Sequence, residues 1–200
     1  MLFRSTGDLA DISDTISYQQ KAVHLTPEGH ADMPIRLNNL GASFQVRFES
    51  TEDLADISDA ISYQQKAVHL TPEDHADMPG RLNNLGISFQ SHFNHTEDLA
   101  DISDAISYLQ KVVHLTLEGH AGLPVWLSNL GISYRCRFEC TEDLTDICGA
   151  ISYQQKAVHL TPEGHADMPG MLVSLGKSFQ DCFKHTGDLA DTHTLLSIYS

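Results

Sequence analysis

The sequence predicts an all-α protein, a solenoid of stacked antiparallel helix hairpins. It repeats itself every 45 residues, its apolar positions follow helical spacing, and proline and glycine punctuate each repeat at fixed places. From Thr51 to His95 it reads TEDLADISDAISYQQKAVHLTPEDHADMPGRLNNLGISFQSHFNH, and nearly the same words begin at Thr6, Thr96 and Thr141. The sequence units are 6–50, 51–95, 96–140 and 141–185, with a partial one over 186–200, and residues 1–200 read as a single repeat array. Self-similarity at a period in this range marks units that bury their apolar faces only against their neighbours.

Within one unit, the first predicted helix runs from Asp53 to Leu70. Leu54, Ile57, Ile61 and Val68, flanked by Ala60 and Ala67, follow the spacing that draws one stripe along a helix. Pro72 ends it, because proline cannot continue the hydrogen-bond ladder. A second helix restarts at Asp77, a predicted N-cap, with Pro79 in the first turn where its missing N–H costs nothing. Leu82, Leu85, Phe89 and Phe93 form its stripe, interrupted by Gly86. Glycine inside a helix costs about 1 kcal/mol relative to alanine. Its return at Gly41, Gly86, Gly131 and Gly176 therefore predicts close approach of a neighbouring helix.

These residues resemble a tetratricopeptide repeat (TPR). Leu82, Leu85, Gly86 and Phe89 match the first helix of that hairpin, and Ala60, Ala67 and Pro72 match the second at the right separations. The resemblance covers essentially the whole chain. It implies a right-handed α-solenoid and reframes the unit: complete hairpins are expected over 32–70, 77–115 and 122–160. A fourth begins near Asp167 with a degenerate second helix, and a lone second helix is expected from Asp8 to Leu25. The common repeat has about 34 residues. The surplus here is assigned to the turn inside the hairpin, 93–102, and to the link between Pro72 and Leu82. Long units with NNLG look like the kinesin-light-chain type and, more closely, like the repeat arms of fungal proteins that carry a caspase-like CHAT protease domain. Neither end carries the polar cap a solenoid needs, so a section of a longer protein, or ends covered by self-association, is expected.

Function follows partly from charge. A net charge of −15 with only 12 Lys and Arg disfavours nucleic acid and anionic membranes, which need clustered cations. No apolar run reaches the length of a signal peptide or a membrane span, so a cytoplasmic location is expected. Cys136, Cys140, Cys148 and Cys182 all fall in the second half at positions where other units carry different residues, which fits reduced thiols and not a disulfide framework.

The resemblance implies a concave surface lined by the first helix of each hairpin, along which peptides lie. The matching positions are Asn38, Asn39 and Gln45, then Asn83, Asn84 and Gln90, then Ser128, Asn129 and Arg135. An asparagine ladder offers donors and acceptors to an extended backbone. Alternatively, one of each Asn pair bonds within the array and the other is merely hydrated. Val173 and Ser174 break the ladder in the last unit.

No nucleophile with a paired base is present, so no enzyme activity and no cofactor are expected. Two histidine series recur, one ending the second helices (His24, His69, His114, His159) and one in the following turn (His30, His75, His120, His165). Their spacing does not put two metal ligands on one helical face, and imidazoles near helix C-termini suit the dipole. Cys136, Cys140, Cys182 and His185 allow a Cys3His zinc site to be drawn, but drift explains them equally well, and no metal is predicted. Trp126, in place of Arg36 and Arg81, reads as an exposed anchor or as a surface accident. The expected function is a protein–protein interaction scaffold that binds a peptide or partner domain. The alternatives are a regulatory arm of a larger CHAT protease polypeptide and a degraded array.

Overall fold

The structure, a computed structural model, describes residues 6–187, which form eight α-helices and, among the described residues, no strand. They are α1 (Thr6–Leu25), α2 (Met33–Thr51), α3 (Leu54–His69), α4 (Met78–Thr96), α5 (Leu99–Leu115), α6 (Leu123–Thr141), α7 (Leu144–Leu160) and α8 (Met168–Thr186). Two compact units divide within α5, Met1–Asp101 and Ile102–Ser200. In the first, α1 packs on α2, α2 on α3 and α3 on α4. In the second, α6 pairs with α7 and α7 with α8. The degenerate second helix expected after α8 lies outside the described residues.

The turn inside each hairpin is shorter than the sequence suggested. Only Glu52 and Asp53 separate α2 from α3, and only Glu142 and Asp143 separate α6 from α7. The surplus over the common repeat, assigned above to a turn over 93–102, is largely helix, since α4 continues to Thr96 and α5 begins at Leu99. Two local devices make so tight a turn. Glu52 and Glu142 adopt left-handed backbone, φ 56° and 55°, and their N–H groups donate to Phe48 O at 2.7 Å and Phe138 O at 2.8 Å, closing the first helix. Asp53 and Asp143 then cap the second helix, accepting from Ala55 N at 3.0 Å and Thr145 N at 2.9 Å. The backbone hydrogen bond from Thr145 holds the Asp143 carboxyl below the usual range.

An ion pair locks each turn from inside. Arg47 makes a two-pronged contact with Asp56, Nε to Oδ2 at 2.8 Å and Nη2 to Oδ1 at 2.5 Å, and Arg137 repeats it on Asp146 at 2.7 and 2.6 Å. Both carboxylates are buried. The arginines lie over Phe44 and Tyr134, and hydrogen bonding to the carboxylates holds both guanidiniums above their ordinary values. His92 meets Asp101 at 2.6 Å at the corresponding place.

The core follows the predicted first-helix stripe closely and the second-helix stripe at Ile57, Ala60 and Ala67, but Ile61 and Val68 are half-buried and Leu54 is exposed. Leu40, Phe44 and Phe48 of α2 pack with Ile57 and Ala60 of α3 and Ile16 of α1, while Phe138, Ile147, Ala150 and Ile151 form the equivalent cluster between α6 and α7. Gly41 sits where a Cβ would stand 2.7 Å from Gln64 Cγ and 2.9 Å from Ala60 O. At Gly131 the distances to Gln154 Cγ and Ala150 O are 2.6 and 2.9 Å. Gly41 and Gly131 are thus the notches into which the second helix sinks, whereas a Cβ on Gly176 would meet nothing within 4 Å.

Between hairpins, the N-cap role assigned to Asp77 is not the one it plays. Its side chain makes no capping bond to the helix backbone. Its N–H donates to His75 Nδ1 at 3.1 Å, and its carboxylate takes Arg81 at 3.0 Å. Arg81 also donates to Thr71, whose hydroxyl donates back to Ala67 O. Arg36 repeats both contacts, to Asp32 and Thr26.

Two substitutions test this account by urea denaturation. Arg137→Ala leaves Asp146 buried without its partner and is expected to lower stability by about 2–3 kcal/mol, discounted from a fully buried pair because Arg137 is partly exposed. Glu142→Gly relieves left-handed backbone and is expected to raise stability by about 0.5–1 kcal/mol.

Candidate peptide groove on the first helices

The sequence-predicted site residues fall on three first helices: Asn38, Asn39 and Gln45 on α2, Asn83, Asn84 and Gln90 on α4, and Ser128, Asn129 and Arg135 on α6. In the first unit, α2 and α4 lie side by side because α3 packs against both. Two rungs link them. Asn84 Nδ2 donates to Asn38 Oδ1 at 3.2 Å, and Ser88 Oγ donates to Gln45 Oε1 at 3.1 Å. Asn39 is exposed and Asn83 is buried. The asparagines are therefore not all solvent-facing readers. Asn38 and Asn84 spend one atom each on stacking and keep Nδ2 of the first and Oδ1 of the second for other partners.

In the second unit, α6 and α8 frame an open groove of about 380 Å³ whose wall includes Val125, Ser128, Asn129, Ile132, Gly170 and Ser174. Residues 125, 128, 129 and 132 share one face of α6 by helical spacing, so the apolar pair Val125 and Ile132 alternates with hydroxyl and amide groups. Arg135 lies one turn further along α6. It contacts Glu139 on its own helix and Asp181 Oδ2 on α8, the latter at 3.5 Å.

Arginine in place of glutamine changes that rung. In the first unit Gln45 accepts from Ser88; Ser178 is the α8 counterpart of Ser88, and Arg135 offers no acceptor. Ser178 Oγ and Arg135 Nε are both buried without a hydrogen-bond partner among the described residues. Ser88→Ala is accordingly expected to cost about 1 kcal/mol in urea unfolding, whereas Ser178→Ala is expected to be neutral or slightly stabilising.

The remaining candidate groups have structural explanations. Each turn histidine accepts a backbone N–H at Nδ1: from Asp32 to His30 at 3.1 Å, Asp77 to His75 at 3.1 Å, Gly122 to His120 at 3.0 Å and Asp167 to His165 at 3.3 Å. Trp126 is half-buried, stacked on His120 with ring centroids 4.8 Å apart, and so is not a free-standing anchor. The four residues drawn as a zinc site diverge. Cys140 is exposed, Cys136 and Cys182 are buried, and His185 sets its ring edge-on to Phe138. Among the described residues no group of three or more His, Cys, Asp or Glu side chains is placed to hold a metal ion. Arg47, Asp56 and their counterparts were missed by the sequence reading. The signal was there as an Arg or His nine residues before an Asp in three units, at 47, 92 and 137.

Burial pushes the Cys136 thiol up to about 11 from an ordinary 9.0, and burial followed by the neighbouring Cys182 raises Cys148. For a group raised on folding, the stabilisation is intact below the unfolded value and is lost as pH rises through the folded one. Stability should therefore fall between pH 9.0 and about 11, and Cys136→Ser should flatten that slope. Alkylation of the folded protein followed by mass spectrometry should label the exposed Cys140 well before Cys136.

Paired helices joined by a two-residue turn, with a glycine notch in the first, define a TPR-like helical repeat. Solved structures share that architecture. BtubC (BKLC) from P. vanneervenii superposes with a TM-score of 0.66 at 16% identity over 94% of this chain and 72% of its own. The nearly identical TPR-like repeats from Podosopora anserina, in a chain named as a kinesin light chain, give 0.61 at 12% identity over 96% of this chain and 85% of theirs. A single-substitution variant of the same Podosopora anserina protein gives 0.62 at 11% identity over the same shares of the two chains. No family model matches the chain, and no curated protein does. The fold is that of an all-α helical repeat solenoid, a TPR-like array. No helix among the described residues is long and apolar enough to cross a membrane.

Proposed function

We propose that this protein is a non-catalytic interaction scaffold that holds an extended peptide segment of a partner protein along its first helices, without metal or cofactor. The groove between α6 and α8 carries the reading. It combines an apolar floor, Val125 and Ile132, with polar groups at Ser128, Asn129 and Ser174, the mixture that holds side chains and satisfies a backbone. Asn38, Asn39, Gln45, Asn84 and Gln90 give the first unit a like surface on α2 and α4, from which the buried Asn83 is left out, and Arg135 stands beside the groove on α6 of the second unit. Asn38 and Asn84 contribute the amide atoms that their mutual bond leaves over. A charge of −15 favours neutral or basic segments over nucleic acid. The four cysteines are free thiols, which suits the cytoplasm.

The test begins with peptides selected from a random display library on the immobilised 200-residue chain, with affinities measured by fluorescence anisotropy. Gly170 has nothing within 4 Å of a built Cβ, so Gly170→Trp fills the groove without disturbing the fold. It is expected to weaken the selected peptides at least tenfold, and Asn129→Ala to weaken them severalfold. Peptides that bind both variants as well as the wild type would place recognition elsewhere and sink the proposal.

A further inference from the structure

The links between hairpins repeat one ion pair, and the fourth link lacks half of it. Asp32 holds Arg36 at 3.3 Å and Asp77 holds Arg81 at 3.0 Å, each time an aspartate with an arginine one helical turn on. The third link has neither member, with Gly122 and Trp126 at those positions. The fourth keeps the aspartate, Asp167, and has Met171 where the arginine would stand. Its backbone is otherwise built alike, φ −82° at Asp167 against −84° at Asp77. The Thr161 hydroxyl donates to Met171 Sδ at 3.2 Å, in the place where Arg36 and Arg81 donate to Thr26 and Thr71.

Nothing in the fold replaces the missing cation. Among the described residues no lysine or arginine reaches the Asp167 carboxylate, and its side chain is 52% exposed. His165 Nδ1 lies 3.7 Å away, but that nitrogen accepts the Asp167 N–H at 3.3 Å and so has no proton to offer the carboxylate.

Asp167 also stands where two cavities adjoin. It lines the groove between α6 and α8, and it lines a second cavity of about 310 Å³ between links 116–122 and 161–167. Val125 and Met171 belong to both walls, and the second cavity is otherwise largely apolar, with Leu123, Leu160 and Pro162 among its lining. Every wall of the two cavities comes from residues 119–174. The first unit has a like cavity of about 340 Å³, but there Arg81 stands in the wall.

We propose that the segment held in the α6–α8 groove carries a lysine or arginine that pairs with Asp167, with a bulky apolar side chain beside it that fills the cavity between the links. The partner thereby supplies the cation that Arg36 and Arg81 supply from within. This rests on the groove reading and gives the partner its chemistry, a basic residue next to an apolar one. The net charge of −15 draws such a segment towards the protein. Asp32 and Asp77 cannot read the same signal, because each already holds an arginine.

Peptides selected from the random display library on the immobilised 200-residue chain are the probes, with affinities measured by fluorescence anisotropy. They are expected to share a lysine or arginine beside a bulky apolar residue. Replacing that basic residue by glutamine should weaken binding to the wild type about threefold, as for an exposed ion pair, and Asp167→Asn should do the same. Made together, the two changes should cost no more than either alone, since they remove one contact from its two sides. Met171→Arg restores the internal pair, so it should weaken the basic peptides and leave the glutamine-substituted ones no less tightly bound to Asp167→Asn than to the wild type. Circular dichroism reports whether both variants fold. Selected peptides without a basic residue overturn the inference, as do basic peptides that bind Asp167→Asn as tightly as the wild type, or losses that add in the double change. Gly170→Trp judges the groove separately: binding lost there but unchanged in Asp167→Asn leaves the groove standing and removes this inference alone.

Discussion

The close approach of helices at Gly41 and Gly131 is the constraint on which the rest of the structure depends. A side chain at either position would collide with a backbone carbonyl of the second helix, at Ala60 or Ala150, and not merely with a movable glutamine tip. Only with that carbonyl so near can Phe44 stack on Tyr63 and Tyr134 on Tyr153, and only then does the arginine at the helix end reach its aspartate across a two-residue turn. The helix propensity sacrificed at the glycine is offset by the burial it permits. The same notch costs something in polar satisfaction, for the amides of Gln64 and Gln154 are fully buried with no partner among the described residues, and α5 carries Leu109 in that place.

Much of this was legible in the sequence. The repeat period, the apolar stripes and the glycine that needed a tertiary reason all point to paired helices, because burial writes itself into residue spacing. Turn geometry was less legible. A left-handed glutamate at 52, 97 and 142 gives no compositional cue, since glycine is the residue usually read as that signal, and at the equivalent place it stands only in the outer copies, at Gly7 and Gly187. The hairpin therefore read as loosely connected when it is tight. The Asp77 assignment went astray for a related reason: a competing acceptor, His75 Nδ1, sat two residues away and changed which group the aspartate serves.

The candidate site shows the opposite balance. Its positions could be assigned from the first-helix pattern, but not how each side chain divides its hydrogen bonds. Asn38 and Asn84 look equally exposed in a pattern of spacing, and only their 3.2 Å contact shows that part of each is structural. The groove beside Ser128 and Asn129 depends on Gly170 and Ser174 of α8, and of these the sequence marked only Ser174, as a break in the ladder. Departures between near-identical repeats thus carry more functional information than the consensus does. Arg135, Trp126 and Cys182 each alter a local contact that the other copies make in a common way.

The two-residue turn also bears on how the protein reaches its fold. Helices that are near copies of one another offer many almost equivalent pairings, so contact energy alone discriminates poorly between α3 and α7 as the mate of α2. Loop-closure entropy discriminates well, since joining neighbours through Glu52 and Asp53 closes a far shorter loop than joining distant copies. With the ion pair formed at the turn itself, each hairpin is a local nucleus with low contact order, and its register is set by chain connectivity before the repeats can be confused.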